Sequence, residues 1–64
     1  MLDATSYIVD TDGVIFDQDN KVLMRMAGFR TACHFVRNYI TNNRGKSFTD
    51  EWIVMGRSRI YTIV

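Results

Sequence analysis

The sequence contains no proline and a single cysteine, Cys33. One cysteine cannot form a disulfide within the chain, and this one falls among apolar residues, so we expect a buried, reduced thiol. No apolar run approaches the roughly 18 residues that a membrane-spanning helix requires. The first ten residues carry two acids and no base, which is not typical of a secretory signal. These absences favour an intracellular, cytoplasmic protein and predict no membrane partner.

The chain is also short, with 64 residues, which predicts one domain, residues 1–64. A composition of 47% hydrophobic and 23% charged residues is typical of a globular chain and not of a disordered one. Because a domain of this size buries little surface, we expect it to self-associate as a homodimer. Residues 60–64, IYTIV, are strand-like and largely apolar to the last residue, and they would form a sheet edge suited to that pairing if one side of the strand is unpaired.

Residues 28–43 are the one segment with a sustained helical period. Its apolar residues recur at helical spacing and share one face: Phe29, Ala32, Cys33, Val36 and Ile40. Either Gly28 or Thr31 would cap the start of this helix. Asn42, Asn43 and Gly45 all tolerate the left-handed conformation that ends a helix. The segment therefore predicts one amphipathic helix that needs an apolar surface to pack against.

Turn signals divide the residues before the helix into short β-prone segments. Asp12-Gly13 and Asp19-Asn20 are two-residue turn signals that separate predicted strands near 7–9, 14–16 and 21–26. Three short antiparallel strands in a meander are therefore expected.

The residues after the helix allow two interpretations. Segments 52–54 and 60–64 favour a hairpin that turns at 56–58, although 47–50 also has the capping-box pattern of a short helix. We prefer the hairpin. The predicted fold is then α+β: an antiparallel sheet in the order β-β-β-α-β-β with the helix packed on one face.

The net charge is +1, but the charges are unevenly distributed along the chain. The first twenty residues carry five aspartates and no base, whereas residues 21–49 carry six bases and no acid. On the predicted helix, Arg30, His34 and Arg37 lie along one flank, and Arg44 and Lys46 follow its end. This basic stripe is suited to an acidic protein patch or to nucleic-acid phosphates.

Two aromatic residues of the last two strands are further candidates for partner contact. Trp52 and Tyr61 belong to a residue type that is enriched at protein interfaces, as are arginine and methionine. The predicted partner-binding residues are therefore Arg30, His34, Arg37, Arg44, Lys46, Trp52 and Tyr61.

Residues 7–17, YIVDTDGVIFD, combine an apolar strand, a D-x-D-G-V pattern and a second apolar stretch that ends in an acid. This segment resembles the first motif of haloacid-dehalogenase-type phosphotransferases. The resemblance implies that Asp10 would attack a phosphoryl group and that Asp12 would act as general acid/base beside a magnesium ion. It also implies a doubly wound α/β fold.

The rest of the chain does not supply the other parts of such an enzyme. It has one predicted helix and no βαβ series, and a parallel sheet with its crossovers does not fit in this length. We therefore interpret Asp12-Gly13 as a hairpin turn. Because Cys33 and His34 are adjacent, they point to different sides of the helix and suit neither zinc nor a nucleophile–base pair. We predict no enzyme activity, no cofactor and no metal site.

The leading interpretation is a small intracellular protein-interaction module that acts by binding. Its role would be that of a regulator or inhibitor of a larger protein, of the kind that viruses encode as accessory proteins. Nucleic-acid binding through the basic helix flank is the first alternative, and it predicts an affinity that falls steeply with salt. A phosphotransferase-like site at Asp10 and Asp12 is the second.

Overall fold

The computed structural model describes residues 3–64. The elements in chain order are β1 (Ser6–Asp10), β2 (Val14–Phe16), β3 (Val22–Arg25), α1 (Phe29–Asn38) with a π-helical extension (Tyr39–Asn43), β4 (Phe48–Ile53) and β5 (Ser58–Ile63). The five strands form one sheet in the order β3-β2-β1-β5-β4, and every strand pair is antiparallel. The predicted small α+β fold is confirmed. The parallel, doubly wound fold implied by the phosphotransferase resemblance is not the fold of this chain.

The last two strands form the predicted hairpin, and the short helix considered for this region does not form. The turn lies at residues 54–57, about two residues earlier than predicted, and Arg57 adopts a left-handed conformation with φ of 51°. The prediction that residues 60–64 form a sheet edge is wrong. β5 pairs with β1 on one side and with β4 on the other, so the two edges of the sheet are β3 and β4.

The helix begins after Gly28, whose extended backbone makes it the N-cap residue, and not after Thr31. At the other end, Gly45 takes the left-handed conformation with φ of 62°, and the Lys46 N–H donates to the Ile40 carbonyl over 3.1 Å. A glycine suits this position because it adopts positive φ without a Cβ clash. The predicted amphipathic helix is therefore present, and its last turn is wider than expected.

The loop between β1 and β2 is held by the carboxylate of Asp10. One oxygen, Oδ1, accepts the backbone N–H groups of Asp12 and Val14 at 2.9 and 3.0 Å. Gly13 follows in the left-handed conformation with φ of 86°, and its N–H donates to the Asp10 carbonyl. The D-x-D-G pattern is thus a turn in which the first aspartate replaces missing backbone partners.

The loop between β2 and β3 uses the same arrangement seven residues further along the chain. Asp17 Oδ1 accepts the N–H groups of Asp19 and Lys21 at 2.8 and 3.0 Å. Asn20 occupies the position of Gly13, with φ of 63°. The two loops form a short local repeat that sets the register of the meander.

The hydrophobic core lies between α1 and one face of the sheet. Its buried members are Ala4, Tyr7, Val9, Ile15, Ala32, Cys33, Val36, Ile40 and Tyr61. Four of the five residues predicted to share the apolar face of the helix are among them; Phe29 is half-buried at its margin. Aromatic rings also pack within the core: the rings of Phe48 and Tyr61 meet edge to face, with their centroids 5.5 Å apart.

Candidate functional site

A cleft with a volume of about 270 Å³ runs between the first turns of α1 and the strand β5. Its lining, which we call the cationic cleft, consists of Phe29, Arg30, Cys33, His34, Arg37 and Arg59. The helical residues meet there because positions three and four apart share a flank. Arg59 reaches the cleft because it pairs in register with Val9, a core residue, and so points to the helix side of the sheet.

The cleft carries three guanidinium groups and only one neighbouring carboxylate. Arg59 Nε lies 2.8 Å from Asp50 Oδ1, but its buried N–H forms no hydrogen bond of ordinary geometry, so this contact is an ion pair only. Arg37 Nη2 lies 3.2 Å from His34 Nδ1, and because a guanidinium has only donors, Nδ1 is the acceptor in this contact. The Arg30 side chain is exposed and makes no hydrogen bond or ion pair within residues 3–64. The cleft therefore has excess positive charge.

The floor of the cleft is apolar and buried. Cys33 is only 4% exposed, and Tyr61 beneath it is fully buried. Burial raises the pKa of Tyr61 well above its ordinary value, and the neighbouring Cys33 thiol raises this pKa further. The Tyr61 hydroxyl has no hydrogen bond of ordinary geometry in the described part of the chain. This corrects the prediction that Tyr61 contacts a partner, because its side chain lies in the core.

An apolar surface adjoins the cleft on the side of β4. Trp52 is 43% exposed, and its ring meets the edge of Phe29 with centroids 5.9 Å apart. The turn after β4 then exposes Val54 and Met55, by 72% and 97%. Trp52 also pairs in register with Arg59, so the exposed indole and the cleft belong to one continuous surface. The structure thus brings predicted residues Arg30, His34, Arg37 and Trp52 together.

The other two predicted basic residues lie elsewhere. Arg44 donates from Nη1 to the Ala4 carbonyl and, over 3.1 Å, to the Tyr7 hydroxyl, so its guanidinium ties the end of the helix to the start of β1. Lys46 is exposed, but it follows the far end of the helix, roughly 20 Å of helix axis from Arg30. The predicted basic stripe is therefore divided, and only its N-terminal part belongs to the cleft.

Sequence reasoning missed Arg59 and Asp50 as parts of this site. The available signal was alternation along β5, where Arg59, Tyr61 and Ile63 occupy one face of the strand. Because Tyr61 and Ile63 are apolar, this face of β5 is expected to point toward the core. An arginine in the same set must therefore lie at the margin of the core, next to the helix.

The first aspartate of the phosphotransferase-like motif has structural partners, whereas the second is exposed. Asp10 Oδ1 accepts two backbone N–H groups, as described above, and Asp12 is exposed in the turn. Among residues 3–64, no three His, Cys, Asp or Glu side chains are grouped so that they could hold a metal ion. The same residues include no helix that is both long and apolar enough to cross a membrane.

Comparison with known protein families, with curated proteins and with solved structures found no match to this chain. The candidate function therefore depends on the geometry of the cationic cleft and its surroundings.

Proposed function

We propose that this protein is a small binding module that holds an acidic segment of another protein in the cationic cleft. Binding would regulate that partner by covering the segment. The observation that supports the proposal is the position of three arginines, Arg30, Arg37 and Arg59, against one carboxylate and beside the exposed ring of Trp52. Arginine and tryptophan are the residues that most often dominate the energy of protein interfaces. No covalent step is part of the proposal.

The two parts of the surface would contribute differently to binding. The arginines present planar donor groups that match carboxylates in bidentate fashion, and they favour rapid encounter with an acidic partner. Such contacts give selectivity for acidic residues more than they give affinity. Trp52 and Met55 supply the apolar area on which affinity depends. A matching segment therefore has acidic residues next to at least one large apolar residue.

A protein partner fits this surface better than nucleic acid does. A nucleic-acid site needs cations that follow the phosphate backbone, but Arg44 is bound internally and Lys46 is remote from the cleft. Such a site also needs several aromatic platforms for bases, whereas Trp52 is the one aromatic side chain that is exposed among residues 3–64. Nucleic acid is therefore the second candidate ligand, and the same variants distinguish it from a protein partner.

The setting that we propose is intracellular. A reduced, buried Cys33 is consistent with that compartment. We propose the role of regulator or inhibitor because a partner segment held in the cationic cleft is blocked from other contacts.

Selection of random peptides displayed on phage, with the purified protein as bait, tests the proposal. We expect the selected peptides to be enriched in Asp and Glu next to a large apolar residue. Arg30→Glu should weaken their binding by more than tenfold, because it reverses a charge that faces the ligand. The substitution should not disturb the fold, since α1 has no acid in its first turn and an acid there favours the helix dipole.

Lys46→Glu is the matched control, because it makes the same charge change at an exposed position outside the cleft. It should leave peptide affinity within about twofold, as expected for a charge roughly 20 Å away in physiological salt. Selected peptides without acidic enrichment would contradict the proposal. Equal losses for both variants, together with tight binding of a single-stranded oligonucleotide, would favour the nucleic-acid alternative.

A further inference from the structure

The face of the sheet opposite α1, which we call the outer face, carries a second group of apolar side chains. They are Ile8, Val14, Phe16, Val22, Ile53 and Ile60. None of the six belongs to the core cluster that α1 covers, although Val14 is itself buried, with 9% of its surface exposed. Strand alternation explains this for five of them, and Val22 reaches the outer face because of the register shift that places it opposite Phe16. No described element packs over the outer face.

Four of these side chains form a continuous row across the sheet. Ile8 pairs in register with Phe16 on one side and with Ile60 on the other, and Phe16 pairs with Val22. Strands lie about 4.8 Å apart, so the row extends roughly 15 Å. The next residue in the row, on β4, is Glu51, which pairs with Ile60. The row is thus apolar over four strands and acidic at the β4 edge.

The opposite edge of the same face is basic. Arg25 on β3 is exposed and pairs in register with Val14, so it shares the outer face with Val14. A two-fold axis parallel to β1 would place the β3 edge of one copy over the β4 edge of another. That rotation brings Phe16 over Ile60 and Val22 over Glu51. Arg25 lies about 7 Å along the strand from this row, within reach of its long side chain to the Glu51 carboxylate of the second copy. The outer face is therefore complementary to itself.

The sheet edges are poorly suited to pairing between copies. β4 carries two adjacent acids, Asp50 and Glu51, and β3 has only four residues with a shift in register at Phe16. Charges, short strands and bulges are the usual features that prevent edge-to-edge pairing. Association through the outer face buries the apolar row and does not require a free sheet edge.

We infer that the outer face is the interface of a symmetric homodimer, in which two sheets pack face to face. The two sheets would lie about 10 Å apart, as in β-sandwiches, with their outer faces in contact. Residues Glu51 and Arg25 would form paired charges at both rims. This interface shares no residue with the cationic cleft, so the dimer would present two clefts on its outside, and the inference stands independently of the proposed function.

Sedimentation equilibrium over a range of concentrations tests the inference. We expect a species of twice the 7.5 kDa chain mass that dissociates on dilution. Ile60→Asp should weaken dimerisation on the order of 100-fold, because it places a charge at the centre of the interface. Met55→Asp makes the same kind of change at a side chain that is 97% exposed on the hairpin turn, and it should leave the dimer intact.

A second set of variants keeps the test decisive if Ile60→Asp unfolds. Val22→Asp changes a residue that is already 41% exposed at the edge of the row, and it too should favour the monomer. Glu51→Arg and Arg25→Glu should each weaken the dimer, and the double variant should recover most of the loss. A wild-type chain that stays monomeric at high micromolar concentration would overturn the inference, as would a dimer that is insensitive to Ile60→Asp and Val22→Asp.

Discussion

Gly13, in the β1–β2 loop, lies directly against the backbone of Gly28, where α1 begins. A Cβ atom on Gly13 would be 2.7 Å from the Gly28 carbonyl oxygen, which is closer than such atoms approach. That carbonyl accepts the first hydrogen bond of the helix, from the Ala32 N–H over 3.0 Å. The Gly13 carbonyl in turn accepts the Met26 N–H at 2.9 Å. The loop and the helix start are therefore fixed to one another by backbone contact.

The first prediction follows from this contact. Gly13→Ala should lower the free energy of unfolding by about 2–3 kcal/mol, because alanine at positive φ is strained and its methyl group would displace Gly28. Gly45→Ala is the control: its φ of 62° carries the same strain, but no atom lies within 4 Å. It should cost only about 1 kcal/mol. Urea unfolding measures both, and equal losses would show that the contact with Gly28 is not a constraint.

The second prediction concerns the carboxylate that holds the first loop. Asp10→Ala should destabilise the protein by about 2 kcal/mol, because two backbone N–H groups lose their acceptor. Asp10→Asn retains an acceptor oxygen and should cost less than about 1 kcal/mol. Asp17→Ala removes the equivalent acceptor in the second loop and should resemble Asp10→Ala.

Chemical denaturation of these three variants provides the measurement. If Asp10→Ala lowers the free energy of unfolding far less than Asp17→Ala does, the two loops are not held in the same way. Magnesium-dependent phosphatase activity that is lost in Asp10→Asn would instead support the phosphotransferase alternative.

Much of the fold could be predicted from sequence because its signals are local. The helical period of residues 28–43 and the turn residues Asp12-Gly13 each determine an element without reference to distant parts of the chain. The place of β5 could not be predicted in this way. Its apolar sequence indicates a strand that is buried, but it does not indicate which strands pair with it. The sheet order depends on non-local contacts between β1 and β5.

The candidate site was predicted in part for the same reason. Arg30, His34 and Arg37 share a helix flank by spacing alone, so the sequence places them together. Arg59 enters the site only through the pairing of β5 with β1. Arg44 has the spacing of a surface residue, but its hydrogen bonds to the start of the chain depend on the folded path. Tyr61 could be recognised as a core residue only after the face of β5 toward the helix was known.

The third prediction uses the buried hydroxyl of Tyr61. Because its pKa is raised in the folded protein, the unfolded chain releases this proton first, near its ordinary pKa of about 10. Its contribution to stability is therefore fully present below about pH 10 and is lost as the pH rises further. The free energy of unfolding should fall with pH in that range, and it should fall less steeply for Tyr61→Phe.

Below about pH 9, the same substitution tests the cost of the unpaired hydroxyl. Tyr61→Phe should leave stability within about 1 kcal/mol of wild type, because the group removed forms no hydrogen bond of ordinary geometry. Urea unfolding of both proteins at several pH values isolates Tyr61, since all other titrating groups are common to the two. Parallel curves from neutral pH to above pH 10 would show that Tyr61 titrates normally in the folded state. A large loss at neutral pH would show that its hydroxyl has a partner that matters for stability.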